Sequence, residues 1–422
     1  MRQILFATFP CYLDDSNGAA VASRSMMELL ARLGFGVEAV TGFSLELDQE
    51  VDPWVWLSAR GDDFEALGGE SWSIDVKGLR ASVPPHFRLK VQGVPVTVVL
   101  GQSSRRAIAN HEESESFLQL YDDTLDRFRP EVVVTFGGDP LAEEIRLRAR
   151  ARQIAVVFAL HNFSYLSREP FETADAVIVP SRLASEFYQR KLGLDCTVLP
   201  NLCDPQRVRA EERDPRYVTF VTPSPEKGVF AFARIADELG RLRPDIPFLV
   251  VEGRGSERTL ADCGLDLCAH GNVFLMPNTS DPRRFWRLTR ICLMPSLWWE
   301  NQPLTAIEAM TNGIPVIGSD RGGIPETLGS AGIVLPLPNR LTPQTREPPS
   351  PEEVSAWVES IVRLWDDSEE QARQNRISLL EAHRWTPEAV GPLYLEFFRN
   401  VKTHAGFRGD DVGEGFEPRV QR

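Results

Sequence analysis

Lysine is nearly missing from this chain: five lysines stand against 41 arginines among 422 residues. Any lysine inside a motif therefore draws notice. Cysteine is scarce too, with six residues at Cys11, Cys196, Cys203, Cys263, Cys268 and Cys292. None forms a pair of close pairs, and Cys263 and Cys268 have no histidine pair nearby to complete a zinc site. We read them as reduced thiols of a cytoplasmic protein. Positive charge is not in excess. The net charge of −14 argues against a nucleic-acid partner, which would require a basic face. No run approaches the ~20 apolar residues of a spanning helix, and the opening MRQILFATFP lacks a signal-peptide core. Any membrane contact is expected to be peripheral. Finally, no two aspartates stand two apart, so an Asp-x-Asp triplet that would hold a metal and a diphosphate is absent, and no metal is expected.

The chain is 42% hydrophobic and 25% charged, the composition of a folded protein. Its length suggests two domains of roughly 200 residues each. Short apolar, β-branched runs alternate with helical periods. QILFATF (3–9), VEAVTG, VTVVL (96–100), EVVVTFG (131–137), AVVFALHN (155–162) and ADAVIVPS (174–181) read as strands in the first half. Unbroken apolar runs of this kind fit a parallel sheet buried on both faces, and the alternation is that of doubly wound α/β domains. FRLKVQGVPVTVVL reads as a hairpin turning at Gly93. The charged segment 204–217 reads as a linker. A second alternation follows it: YVTFVTP, a helix over 229–243, IPFLVVEG, NVFLMPN, ICLMPS, a helix over 303–312, IPVIGSD and GIVLP. We assign 1–203 to a first domain and 218–384 to a second. Residues 385–404 form a returning helix, and 405–422 a disordered tail.

The most informative stretch is WWENQPLTAIEAMTNGIPVIGSDRGGIPE (298–326). Pro303 reads as a first-turn residue, where its missing N–H costs nothing. The backbone around Asn301, Gln302, Pro303, Leu304 and Thr305 then presents N–H groups at a helix N-terminus, a ready anion site. Glu300 precedes that helix and Glu308 lies within it. In VTFVTPSPEKGVFAF (218–232), Lys227 opens a helix after a strand. A cation there is disfavoured by the helix dipole, so an anionic ligand explains it better than solvent does. His161 ends a strand in ALHNFSYL, and Gly18 sits in the first strand-to-helix turn, DDSNGAAVASR.

Glu300 and Glu308 flank seven residues, and the run that holds them resembles glycosyltransferase family 4, retaining enzymes of the GT-B fold. The resemblance spans about residues 1–400 and is best over 155–336. It implies two facing Rossmann-like domains with C-terminal helices crossing back to the first. It implies a nucleotide-diphosphate sugar, UDP- or GDP-linked, as donor and co-substrate with no other cofactor. Transfer of a hexose-type sugar with retention would go to a glycan, lipid-linked or small-molecule acceptor. By that resemblance Glu300 contacts sugar hydroxyls, Glu308 the ribose, Lys227 the diphosphate and His161 the C6 end of the sugar. Gly18 would come close to the donor, and Asn201 with Pro200 would shape the interdomain crossover. The family usually has an arginine five residues before the lysine; here Thr222 stands there, and Arg254 is the candidate substitute.

A nucleotide-sugar epimerase of the same fold would need no acceptor. A phosphorylase would need a pyridoxal-phosphate lysine, and neither Lys227 nor Lys402 has a matching context. A non-catalytic binding protein would have lost Glu300, Glu308 or Lys227. The basic runs RLRARAR (146–152) and 283–290 read as solvated helix faces, with an anionic membrane surface as the alternative contact.

Overall fold

The computed structural model describes residues 2–47, 50–58, 65–66, 86–105, 108–253 and 255–403. Arg254, the proposed tail and most of 59–85 lie outside the described residues.

Two sheets organise the chain. The first contains β1 (Gln3–Pro10), β2 (Gly36–Ser44), β3 (Glu65–Ala66), β4 (His86–Val91), β5 (Val94–Val99), β6 (Val132–Thr135), β7 (Ala155–Ala159), β8 (Ala176–Val179) and β9 (Thr197–Val198). Their spatial order is β3-β4-β5-β2-β1-β6-β7-β8-β9. All neighbours are parallel except β3–β4 and β4–β5. The hairpin read from sequence is there. Gln92 and Gly93 both take positive φ, 48° and 87°, the pairing that a two-residue turn between twisted strands requires. The second sheet contains β10 (Tyr217–Val221), β11 (Phe248–Val251), β12 (Val273–Met276), β13 (Thr289–Met294), β14 (Val316–Ser319) and β15 (Ile333–Leu335). It runs β12-β11-β10-β13-β14-β15, wholly parallel. Strands β6, β7, β11 and β14 are buried along their whole length, as their unbroken apolar runs predict.

In both sheets consecutive strands leave the centre in opposite directions. The crevices open where β1 meets β6 and where β10 meets β13, beyond the carboxyl ends of the strands. The helix Pro387–Asn400 returns to the first domain. It buries Val390, Tyr394, Phe398 and then Val401 in the core made by β1, β2 and the helix Gly18–Arg32. At ~1.5–3 kcal/mol per large apolar side chain, that contact is a substantial tie between the chain's end and its beginning.

Two sequence readings are refined by the structure. Segment 204–217, read as a linker, is ordered. It contains a turn of helix, Pro205–Val208, and bonds to both domains. Arg207 pairs with Glu28 at 2.5 Å, while Ala210 N–H and the Arg213 guanidinium bond to the Asn312 side chain and carbonyl. The C-terminal region forms three helices, Pro351–Asp366, Ser368–Ala382 and Pro387–Asn400. The basic run 146–152 is not a free cationic face. Arg146 is buried against Thr173 and the Gly137 carbonyl. Arg148, Arg150 and Arg152 pair with Asp122, Asp175 and Asp126 respectively. Among the described residues, no helix is long and apolar enough to cross a membrane.

Candidate active site

A cavity of about 940 Å³ opens between the two domains. It is walled by Gly18 and His161 from one side and by Lys227, Glu300, Asn301, Gln302, Pro303, Leu304, Thr305 and Glu308 from the other. Every described site residue expected from sequence is thus brought to one cleft.

Lys227 lies in the turn after β10. Its N–H donates to the Ser224 carbonyl at 3.1 Å. Gly228 follows at φ 83°, and a Cβ there would come within 1.8 Å of the Pro295 carbonyl oxygen. Only glycine lets this turn lie against the loop after β13. The two are stitched by Leu297 and Trp298 N–H groups, both donating to the Glu226 carbonyl at 2.9 Å. That contact delivers Lys227 Nζ to Glu300 Oε1 at 2.5 Å. Ser296 Oγ donates to the same oxygen at 2.8 Å. The side chains of Lys227 and Glu300 are 31% and 10% exposed, so the pair is partly buried yet open to the cleft. The sequence reading gave these two residues separate tasks; in the structure they hold each other.

The loop carrying Glu300 is fixed from behind by the double glycine of DRGGIPE. Gly323 N–H donates to the Glu300 carbonyl at 2.6 Å. A Cβ on Gly323 would fall 1.9 Å from the Asn301 carbonyl oxygen. The helix that follows runs Leu304–Thr311, with Pro303 as its N-cap rather than within its first turn. Leu304 and Thr305 are its first two residues, whose N–H groups have no partner inside the helix. The expectation for Asn301 and Gln302 concerned their backbone; their side chains reach the first domain. Asn301 Oδ1 accepts from Ser181 Oγ at 2.5 Å and its Nδ2 donates to the Leu160 carbonyl at 3.4 Å. Gln302 Oε1 accepts from Asn201 N–H at 2.7 Å.

Glu308 sits on the inner face of that helix. Fully buried Trp286 donates its indole N–H to Glu308 Oε2 at 3.1 Å. Burial pushes the carboxyl up to about 7, against the lowering effect of the indole bond and with a smaller push from Asp15. His161 lies across the cleft beyond β7. Its Nε2 is 3.3 Å from Ser23 Oγ, and its ring stands edge-on to Phe136 at 5.2 Å. Burial holds its pKa down at about 4, so the imidazole is neutral at neutral pH. Gly18 is the first residue of its helix, capped by Asn17, and a Cβ there would meet nothing within 4 Å. The room there is consistent with a ligand approaching the backbone.

Thr222, where the resemblance leads one to expect arginine, has φ 62°. That is a costly conformation for a β-branched residue. Sequence reasoning missed Ser296, Trp286 and Trp299. Ser296 could have been found four residues before Glu300 in the loop that ends a strand, whereas nothing in the local sequence ties Trp286 to Glu308. Among the described residues, no group of three or more His, Cys, Asp or Glu is placed to hold a metal ion.

Comparisons with known proteins agree with this architecture. Residues 215–367 match the family model described as Glycosyl transferases group 1. Sucrose-phosphate synthase from Thermosynechococcus elongatus is similar over 94% of this chain and 98% of that one, with a TM-score of 0.67 at 15% identity. The pneumococcal O-GlcNAc transferase GtfA, solved with UDP and GlcNAc, gives 0.63 at 11% identity over 95% and 99%. Anabaena HepE, solved with UDP and glucose, gives 0.62 at 14% identity over 94% and 100%. No curated protein matches the chain in sequence. The structural likenesses show the fold, which is GT-B.

Proposed function

We infer that the chain is a glycosyltransferase, with the region that matches the group 1 model, residues 215–367, in the second domain. We propose that it transfers a hexose-type sugar, with retention, from a nucleotide-diphosphate donor to a hydroxyl acceptor, and that it does so without a metal. The observation that carries this reading is the convergence on one interdomain cleft of Lys227, Glu300, Glu308, the Leu304–Thr305 N–H groups and His161. Relatives in fold are solved with UDP and a sugar, which supports a nucleotide-sugar donor.

Each residue then has a task. Breaking the glycosidic bond leaves negative charge on the diphosphate. Lys227 and the N–H groups at the start of Leu304–Thr311 offer one full charge and two dipoles to that charge. Donor binding exchanges the Lys227–Glu300 pair for phosphate on the lysine and sugar hydroxyls on the carboxylate. Glu308, held through one oxygen by Trp286, has the other available to accept from ribose hydroxyls. Neutral His161 offers a hydrogen bond to the sugar without placing a cation beside a developing oxocarbenium ion.

Calorimetry with UDP and GDP, on wild type and Glu308→Ala, tests the reading. Binding of one of them that Glu308→Ala weakens at least tenfold is expected. Failure of both to bind, or unchanged affinity in the variant, would remove Glu308 from a nucleotide site.

A further inference from the structure

We propose that Glu326 is a positioning residue: it latches the second domain onto the first and thereby holds His161 opposite Glu300. Glu326 ends the motif GGIPE and lies in the short helix Ile324–Leu328, directly after the glycines that pack on the Glu300 loop. Its carboxylate does not face the cleft chemistry. Instead it crosses the domain boundary to the helix Arg182–Leu192. Oε1 accepts the Arg182 N–H at 2.9 Å and Oε2 accepts the Leu183 N–H at 3.0 Å. Ser181, the N-cap, takes the next free N–H, that of Ala184, at 3.2 Å. The second domain thus supplies the carboxylate for two of the orphan donors at a first-domain helix N-terminus, where the dipole favours a negative charge.

Two further contacts run beside the latch. Ser181 bonds to Asn301, the neighbour of Glu300. Trp299, on the other side of Glu300, packs edge-on against Phe163 at 5.8 Å and also meets Phe187 at 6.2 Å. Phe163 follows His161 by two residues, and Phe187 belongs to the latched helix. The helix is therefore gripped at its N-terminus by Glu326 and along its side by Trp299. The loops gripped in turn carry His161 and Glu300. Because Gly323 bonds directly to the Glu300 carbonyl, Glu326 and Glu300 move as one unit. Closing the latch sets the distance across the cleft.

The inference rests on the glycosyl-transfer reading above, but its test separates the two. Nucleotide contacts lie on the second domain, whereas transfer needs both walls. Glu326→Ala should therefore keep nucleotide affinity within about twofold while lowering kcat about tenfold or more, because the site is no longer assembled. Small-angle scattering of the ligand-free variant should show a larger radius of gyration than wild type. Arg182→Pro is the partner variant. Proline suits the first helical position, follows an extended Ser181, and removes one of the two N–H donors together with the Arg182 guanidinium, whose Nε lies 3.6 Å from Glu326 Oε1. It should act in the same direction, and the double variant should be no worse than Glu326→Ala alone. Wild-type kcat in Glu326→Ala, nucleotide affinity falling in step with kcat, an unchanged radius of gyration, or fully additive effects would each overturn the latch. A wild-type chain that binds no nucleotide sugar would instead remove the function reading, and the scattering comparison would still decide the latch.

Discussion

Glu308 is the residue whose titration should be most visible. Its carboxyl sits at about 7 because burial opposes its charge. If the ionised form accepts from the ribose, affinity for a nucleotide sugar is full above pH 7 and falls as pH drops below it, by about tenfold per unit at the limit. The same shift works against stability. The folded-state value lies above the unfolded one, so Glu308 costs nothing below about pH 4.5 and its full cost appears above pH 7. Glu308→Gln should therefore raise the melting temperature of the ligand-free protein at pH 8 and leave it unchanged at pH 4. It should also flatten the pH dependence of binding. Melting curves at the two pH values, with calorimetry using a nucleotide sugar, check both halves. Lys227 belongs to this scale as well. Lys227→Ala removes the charge proposed to face the leaving diphosphate and should lower single-turnover transfer about 100-fold or more at saturating donor. Lys227→Arg should recover part of the rate, since a planar fork does not replace a point charge. A fall of less than about threefold would make Lys227 only the partner of Glu300.

At the scale of elements, local sequence announced most of what positions the site. The apolar runs of β6, β7, β10 and β13, the Gly93 turn and the existence of the helix after Glu300, though not its first residue, were legible, because each is written in consecutive residues. Lys227 and the two glutamates were legible only through their setting in recognisable strand-to-helix turns. What was not legible depends on contacts between distant segments. Nothing near Trp286 says that its indole meets Glu308, 22 positions away. Nothing near Asn301 or Gln302 says that their side chains turn to the other domain instead of the ligand. Thr222 breaks the expected pattern, and its left-handed backbone cannot be read from the letters. The double glycine makes a further prediction at this scale. A Cβ on Gly323 would sit 1.9 Å from the Asn301 carbonyl oxygen, so Gly323→Ala must displace the Glu300 loop. We expect a lower melting temperature together with loss of transfer. Gly18→Ala meets open space and should leave folding intact, so any activity it loses reports a ligand close to the backbone.

At the scale of the whole molecule, the two sheets face each other across one cleft, and the chain is tied back by its last helix. On the proposed reading, charge on the departing diphosphate is met by Lys227 and helix N–H groups. The account therefore predicts turnover in excess EDTA; loss of turnover on chelation, restored by magnesium or manganese, would end the metal-free reading. We propose that specificity for the acceptor lies in the first domain, whose described cleft walls include Asp15, Arg24, Glu46 and Tyr165. The central claim is that this cleft breaks a nucleotide-sugar bond and keeps the anomeric configuration. The most direct test is time-resolved proton NMR of α-linked UDP and GDP hexoses with the protein in EDTA, following the first anomer formed on an acceptor or on water. The account predicts consumption of at least one donor with the α anomer appearing first. The β anomer first, or no consumption of any donor by a folded protein, would contradict it.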